Sequence, residues 1–249
     1  MNIGSSGLWW IVAGVVAVGM LLLLGRAGSD ARRDRRAAGN GAQTTMPERS
    51  RPRSPLKADQ IYDRNKSSVV TVRTDHGQGS GFVLSREGLV ATNAHVIDEA
   101  QRVVVEVHPR EKAYAAEVIA SAPHHDLALL QVDAPRSLDP VELGRSASVS
   151  PGDEVFTLGN PRNLNLTLSD GLVSAIRQTD SYGKAIQISA PISSGSSGGA
   201  LFNVYGEVVG VTTSSVSEGQ NLNFAIPVAR LRSFAKQNGS MLMRKDRVR

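Results

Sequence analysis

The chain contains no cysteine. Disulfides and thiolate-held metals are therefore excluded, and the redox state of its compartment leaves no mark on the sequence. Aromatic residues are scarce, at 4% against a hydrophobic content of 41%. A core made from this composition must be packed mainly from Val, Ile, Leu and Ala. Basic charge is also scarce where a fold would sit. The formal net charge is +5 over 249 residues, but Arg26 to Lys57 alone carry nine basic and three acidic residues, a balance of +6. Met243 to Arg249 carry four basic and one acidic, +3, which leaves 15 basic against 19 acidic elsewhere, or −4. A nucleic-acid-binding domain would carry its basic stripe on the fold itself, so a nucleic-acid partner is not expected. Basic tethers suit anionic lipid instead.

Long apolar runs are missing with one exception. Leu8 to Leu24 is uncharged and almost wholly apolar, LWWIVAGVVAVGMLLLL. As a helix it would span ~26 Å, near the lower limit for crossing a bilayer. Trp9 and Trp10 stand at one end, where interfacial aromatics belong. A cleaved signal peptide is the competing reading, with Gly25 and Ala27 as a small-x-small site. No Lys or Arg precedes Leu8, however, and the run exceeds a usual signal core, which favours an uncleaved anchor. Residues 1–25 are thus read as a transmembrane anchor contacting the bilayer through residues 8–24. Residues 26–55, rich in Arg, Gly, Ala, Ser, Thr and Pro without an apolar period, are read as a disordered basic linker.

From Leu56 the pattern changes. Ala58 to Asn65 is expected to form a short helix with Ile61 and Tyr62 facing inward. Short β-rich runs then recur: Ser68–Arg73, Gly81–Leu84, Leu89–Thr92, Arg102–Val107, Ala113–Ala120 and Leu127–Val132. A second group follows at Glu154–Leu158, Thr167–Ile176, Ile186–Ser189, Val208–Thr213 and Asn223–Ile226. Turn signals such as Arg86-Glu87-Gly88 and Ser150-Pro151-Gly152-Asp153 separate them. Many short strands with no long helix between them predict an all-β barrel or sandwich. The break near Asp133 to Val141, with Pro135 and Pro140, divides them into two groups of about six. Val228, Leu231 and Phe234 share a face, so Pro227 to Gln237 is expected to be a final helix, and residues 238–249 a basic tail.

One stretch concentrates chemistry. SSGSSGGAL, Ser193 to Leu201, sets four serines among three glycines. Taken alone it reads as a flexible linker. Apolar runs close on both sides argue otherwise, and a nucleophilic serine needs converging backbone N–H groups, which glycines allow. Upstream, Ala91 to Ile97 places His95 just after a strand. His124 to Leu130 places Asp126 at the mouth of an apolar strand. With Ser197 the order is His, Asp, Ser, separated by 31 and 71 residues.

These motifs resemble those of chymotrypsin-fold serine proteases of the HtrA/DegP type. TNAHV (Thr92 to Val96) is similar to that family's histidine motif and HDLALLQV (His125 to Val132) to its aspartate motif. GSSGGAL (Gly195 to Leu201) is similar to its Gly-Asn-Ser-Gly-Gly-Pro-Leu motif. GSGFV (Gly79 to Val83), SDGLVSAI (Ser169 to Ile176) and NFAIPV (Asn223 to Val228) follow in family order, so the resemblance runs from about Ala58 to Phe234. It implies two six-stranded antiparallel β-barrels of chymotrypsin type over residues 56–237, with the site in the cleft between them. It further implies Ser197 as nucleophile, His95 as base and then acid, Asp126 as the group that orients His95, and an oxyanion hole from the N–H groups of Gly195 and Ser197. No metal or organic cofactor is implied. Two departures stand out: Ser196 in place of Asn, and Ala200 in place of Pro, which loosens the turn.

The resemblance also implies function and setting. The expectation is a membrane-tethered serine endopeptidase acting on proteins or peptides, in quality control or regulated proteolysis, with a homotrimer left open. The chain after the last helix is too short for the PDZ domain many such proteases carry. In this fold the primary pocket comes from Ala190 to Ser194 and Val211 to Ser214, with Ile192 as floor and Thr212, Thr213 and Ser214 as wall. Neither segment holds an acid, so small or medium aliphatic residues are expected before the scissile bond, not Arg or Lys. The other reading has Ile192 facing the barrel core, which leaves a deeper, polar pocket lined by serines. Orientation is contested: Arg26, Arg32, Arg33, Arg35 and Arg36 follow the anchor and favour a cytoplasmic domain, whereas the family's anchored members favour the periplasmic side, which is the expectation adopted. The rival function is a catalytically weak protease fold serving as a peptide-binding or sensor module. An esterase of α/β-hydrolase type is disfavoured by the lack of strand-helix alternation.

Overall fold

The computed structural model describes residues 54–245, except 109–111, 135–137, 146–148, 161–165, 180–182, 194 and 214–222, with the side chains of the last helix described to residue 238. The expected anchor, nearly all of the linker, the end of the basic tail, Ser194 and Ser214 lie outside the described residues. Among those described, no helix is long and apolar enough to cross a membrane.

Helix α1 (Ala58–Asn65) stands as expected. The Lys57 N–H donates to Gln60 Oε1 at 2.9 Å, which closes its first turn, and Ile61 is fully buried. Six strands follow: β1 (Val69–Thr74), β2 (Gln78–Val83), β3 (Leu89–Thr92), β4 (Val103–Val107), β5 (Lys112–Ala122) and β6 (Leu127–Val132). They close an antiparallel barrel in the order β1-β2-β3-β6-β5-β4. The second barrel, β10-β11-β12-β9-β8-β7, is built from β7 (Glu154–Gly159), β8 (Thr167–Thr179), β9 (Gly183–Ile188), β10 (Ala200–Asn203), β11 (Val208–Thr213) and β12 (Asn223–Pro227). Helix α2 (Val228–Lys245) ends the described chain. It runs beyond the expected end at Gln237. Strand β10 was not among the sequence-read strands, because its four residues are merged with the Gly-rich motif before them.

Successive side chains of a strand point to opposite faces, and here both faces are buried. In β6, Ala128, Leu130 and Val132 fill the first barrel. Leu127 and Leu129 turn outward into a cluster shared with Phe156, Leu158, Ala200, Phe202 and Val211 of the second barrel. β10 divides the same way, Leu201 toward the inside of the second barrel and Ala200 and Phe202 toward the shared cluster; in β11 a register irregularity opposite Leu201 and Phe202 breaks the alternation, so Val209 joins the inner cluster and Val208 and Val211 the shared one. A strand buried on both faces reads as a continuous apolar run, which explains LALL and VVGV. All five phenylalanines of the chain, at 82, 156, 202, 224 and 234, are buried. α2 seals the shared cluster with Val228, Leu231 and Phe234. The long strands β5 and β8 lie mostly half-exposed, with Val118 and Leu172 open to solvent.

Candidate active site

His95 and Asp126 come from neighbouring strands of the first barrel. β3 pairs with β6 through Thr92 and Ala128, so the turn after β3 lies beside the turn before β6. A single 3₁₀ turn, Pro123–His125, precedes Asp126, which takes a left-handed φ of 50°. Aspartate tolerates this conformation better than most residues. The Asn93 Nδ2 group donates to the Asp126 carbonyl at 2.8 Å, tying the two turns together.

Three donors converge on the Asp126 carboxylate. The backbone N–H of His95 donates to Oδ1 at 3.1 Å, and its Nδ1 lies 2.8 Å from Oδ1 and 2.9 Å from Oδ2. The Thr213 hydroxyl, from β11 of the other barrel, donates to Oδ2 at 2.8 Å. An ionised carboxylate only accepts, so the ring carries its proton on Nδ1 and Nε2 is left as the basic nitrogen. The side chain of Asp126 is 5% exposed and that of His95 37%. The imidazole is thus reachable while its partner is dry.

Ser197 sits in a loop held from both barrels. Ser80 N–H of β2 donates to the Ser197 carbonyl at 2.8 Å, and Ser80 Oγ donates to the Gly195 carbonyl at 2.7 Å. From β11, Thr212 Oγ1 donates to the Ser196 carbonyl at 2.7 Å. Gly198 N–H donates to Thr212 O at 2.9 Å, and Thr212 N–H to Gly199 O at 2.9 Å. Gly198 has φ +84°, and a Cβ there would stand 2.2 Å from Ser80 O and 2.4 Å from Thr92 Oγ1. Only glycine permits so close an approach to the segment that leads into His95.

The hydrogen bonds of His95 all run to Asp126, and among the described residues none joins it to Ser197. Packing brings the two loops together: Val96, next to His95, lies over Gly79, as does the Ser197 carbonyl. Gly195, with φ +97°, and Ser197 are both buried. Ile192 is half-buried and packs on the cluster inside the second barrel. The Thr212 and Thr213 side chains are buried, one on the serine loop and the other on Asp126. Sequence reasoning missed Ser80, Asn93 and the acid-facing Thr213 hydroxyl. The available signals were Ser80's place inside GSGFV, Asn93's inside TNAHV and Thr213's in the pocket segment, none of which shows a hydrogen-bond partner.

The model of the trypsin-like peptidase domain matches residues 79–211. The zebrafish (Danio rerio) serine protease HTRA1A is 38% identical over 191 residues, covering 74% of this chain and 38% of that protein. The serine endoprotease DegS of Haemophilus influenzae is 38% identical over 183 residues, 68% of this chain and 53% of that one. The chain therefore spans about a third to a half of the length of these curated relatives. Among solved structures, the HtrA-type protease AlgW with a decapeptide superposes with a TM-score of 0.67 at 25% identity, covering 74% of this chain and 68% of that one. The serine endoprotease from Yersinia pestis gives 0.64 at 32% identity, with coverage of 74% and 67%.

Proposed function

The chain belongs to the HtrA-type trypsin-like serine proteases, and we propose that it is a serine endopeptidase that cleaves proteins or peptides with Ser197, His95 and Asp126. The observation that carries this reading is the dry Asp126 carboxylate holding both the backbone N–H and Nδ1 of His95, beside a serine loop clamped from two barrels.

In this reading Ser197 Oγ attacks the peptide carbonyl carbon while His95 Nε2 takes its proton. Asp126 stabilises the resulting imidazolium and stays ionised. The oxyanion accepts hydrogen bonds from the N–H groups of Gly195 and Ser197. Collapse breaks the C–N bond, and His95 returns the proton to the leaving amine. Water activated by the same nitrogen then hydrolyses the acyl-enzyme.

The primary pocket is assigned to Ile192 with Thr212, Thr213 and Ser214. The threonine hydroxyls turn to the serine loop and to Asp126, so their contribution to substrate is through backbone and methyl groups. Residues 8–24 anchor the chain, and the domain faces the periplasmic side, the setting named for the Pseudomonas fluorescens DegP-like relative. Analytical ultracentrifugation tests the homotrimer that the resemblance brings in. Fluorophosphonate labelling and casein digestion test the activity: wild type labels and digests, and Ser197→Ala does neither. Labelling that persists in Ser197→Ala would remove the assignment, and a fold that binds peptide without labelling would be the sensor module.

A further inference from the structure

A glycine's backbone is the least self-determined in a chain, because it occupies positive φ as readily as negative. Gly195 holds φ +97° at the position that must present an oxyanion donor. Something outside the residue has to keep it there. The peptide group that follows Gly195 is fixed at both ends. Its N–H, on Ser196, donates to Ser193 O at 2.9 Å. Its carbonyl, on Gly195, accepts from the Ser80 hydroxyl at 2.7 Å.

Ser80 is fully buried, and each of its polar groups is engaged. Its N–H donates to Ser197 O at 2.8 Å, and its carbonyl accepts from Thr92 Oγ1 at 2.7 Å. Its Oγ donates to Gly195 O and accepts from the Asn160 N–H, at the exit of β7, at 3.1 Å. One hydroxyl thus joins the first barrel, the second barrel and the nucleophile loop. The Asn160 side chain is held in turn, its Nδ2 donating to Thr71 Oγ1 of β1 at 2.8 Å. The carbonyls of residues 195, 196 and 197 are taken alternately by Ser80, Thr212 and Ser80.

We propose that Ser80 is a positioning residue for the reaction: its hydroxyl, by holding the Gly195 carbonyl inward, sets the oxyanion hole. This rests on the proteolytic reading above. Without that hydroxyl a buried carbonyl loses its donor, and the Gly195–Ser196 peptide is held only through the Ser196 N–H. Substrate binding before attack would survive, and stabilisation of the oxyanion would fall.

The test uses Ser80→Ala and Ser80→Cys in the full chain. The rate of fluorophosphonate labelling is measured per titratable site, because the phosphonyl oxygen must enter the hole. Binding of fluorescein-labelled casein is measured with each substitution placed in the Ser197→Ala background. The expected result for Ser80→Ala is a labelling rate lower by about 10²-fold, the loss typical of one oxyanion donor, with casein affinity unchanged. The thiol is a weaker donor, so Ser80→Cys falls between. If Ser80→Ala does not fold, Ser80→Cys carries the same comparison. A wild-type rate per titrated site in either folded variant overturns the proposal. A loss of casein affinity equal to the loss of rate also overturns it, since that is what a merely structural role would produce. A wild-type chain that fails to label overturns the protease reading, and this inference with it.

Discussion

A buried carboxylate is costly unless donors surround it, and Asp126 has three, two of them from one histidine. This arrangement fixes the tautomer of His95, so the proton and the charge at this pair matter separately. Asp126→Asn keeps the shape but presents a donor to Nδ1 and favours the wrong tautomer. Turnover of casein is expected to fall by about 10⁴-fold with little change in thermal midpoint. Thr213→Val removes one neutral donor to a charged group at nearly constant volume. Hydrogen bonds of that kind contribute about 1.5–3 kcal/mol, so kcat is expected to fall by roughly 10- to 100-fold. Steady-state kinetics of the purified variant checks it, and unchanged kcat would show that the hydroxyl contributes nothing to holding Asp126.

At the scale of elements, β6, β10 and β11 owe their stability to two buried faces. β10 has four residues, yet it carries Phe202 into the cluster between the barrels and ties the serine loop to β7 and β11. Phe202→Ala is expected to destabilise the domain by about 3–5 kcal/mol, read from urea unfolding. The segments to which the primary pocket is assigned are also held by their neighbours. Asn223 Nδ2 donates to Ala190 O at 2.9 Å, and Leu172 N–H to Ser189 Oγ at 2.9 Å. Ile192 leans on the cluster inside the second barrel, the arrangement of the reading that leaves a deeper pocket, and neither pocket segment carries an acid. A peptide-library profile should therefore favour Val, Ala, Ile and Leu before the scissile bond. The preference should be graded, since one methylene of misfit is worth about 1–3 kcal/mol. Dominant cleavage after Arg or Phe would show that the pocket is built otherwise.

At the scale of the molecule, the described residues form two closed barrels, which leave no open sheet edge among them for pairing. The candidate site draws on both: His95 and Asp126 come from the first, and Thr212, Thr213 and the serine loop from the second. Its charge is separated from its fold, with +6 over Arg26 to Lys57 against −4 for the residues outside the two basic segments. The proposed periplasmic orientation predicts that the domain is digested when protease is added to intact spheroplasts. Survival of the domain until lysis would place it in the cytoplasm, where the arginines after residue 25 would send it.

Period and punctuation in the sequence determined much of this protein. The twelve-strand layout was legible apart from β10, because apolar runs bounded by Gly, Pro and Asp can form little else in so short a length. α1 was legible from its inward-facing Ile61. The candidate His95, Asp126 and Ser197 were legible because each lies in a motif whose residue order matches a known family. Tertiary structure alone decided the rest. Period tells that a strand has two faces but not which of two buried faces looks into its own barrel and which toward the other. Nor does it show a hydrogen bond such as Thr213 to Asp126, 87 residues apart, or Ser80 to Gly195, 115 apart. Hydroxyl side chains have no period of their own, and their partners exist only once both barrels have closed and met.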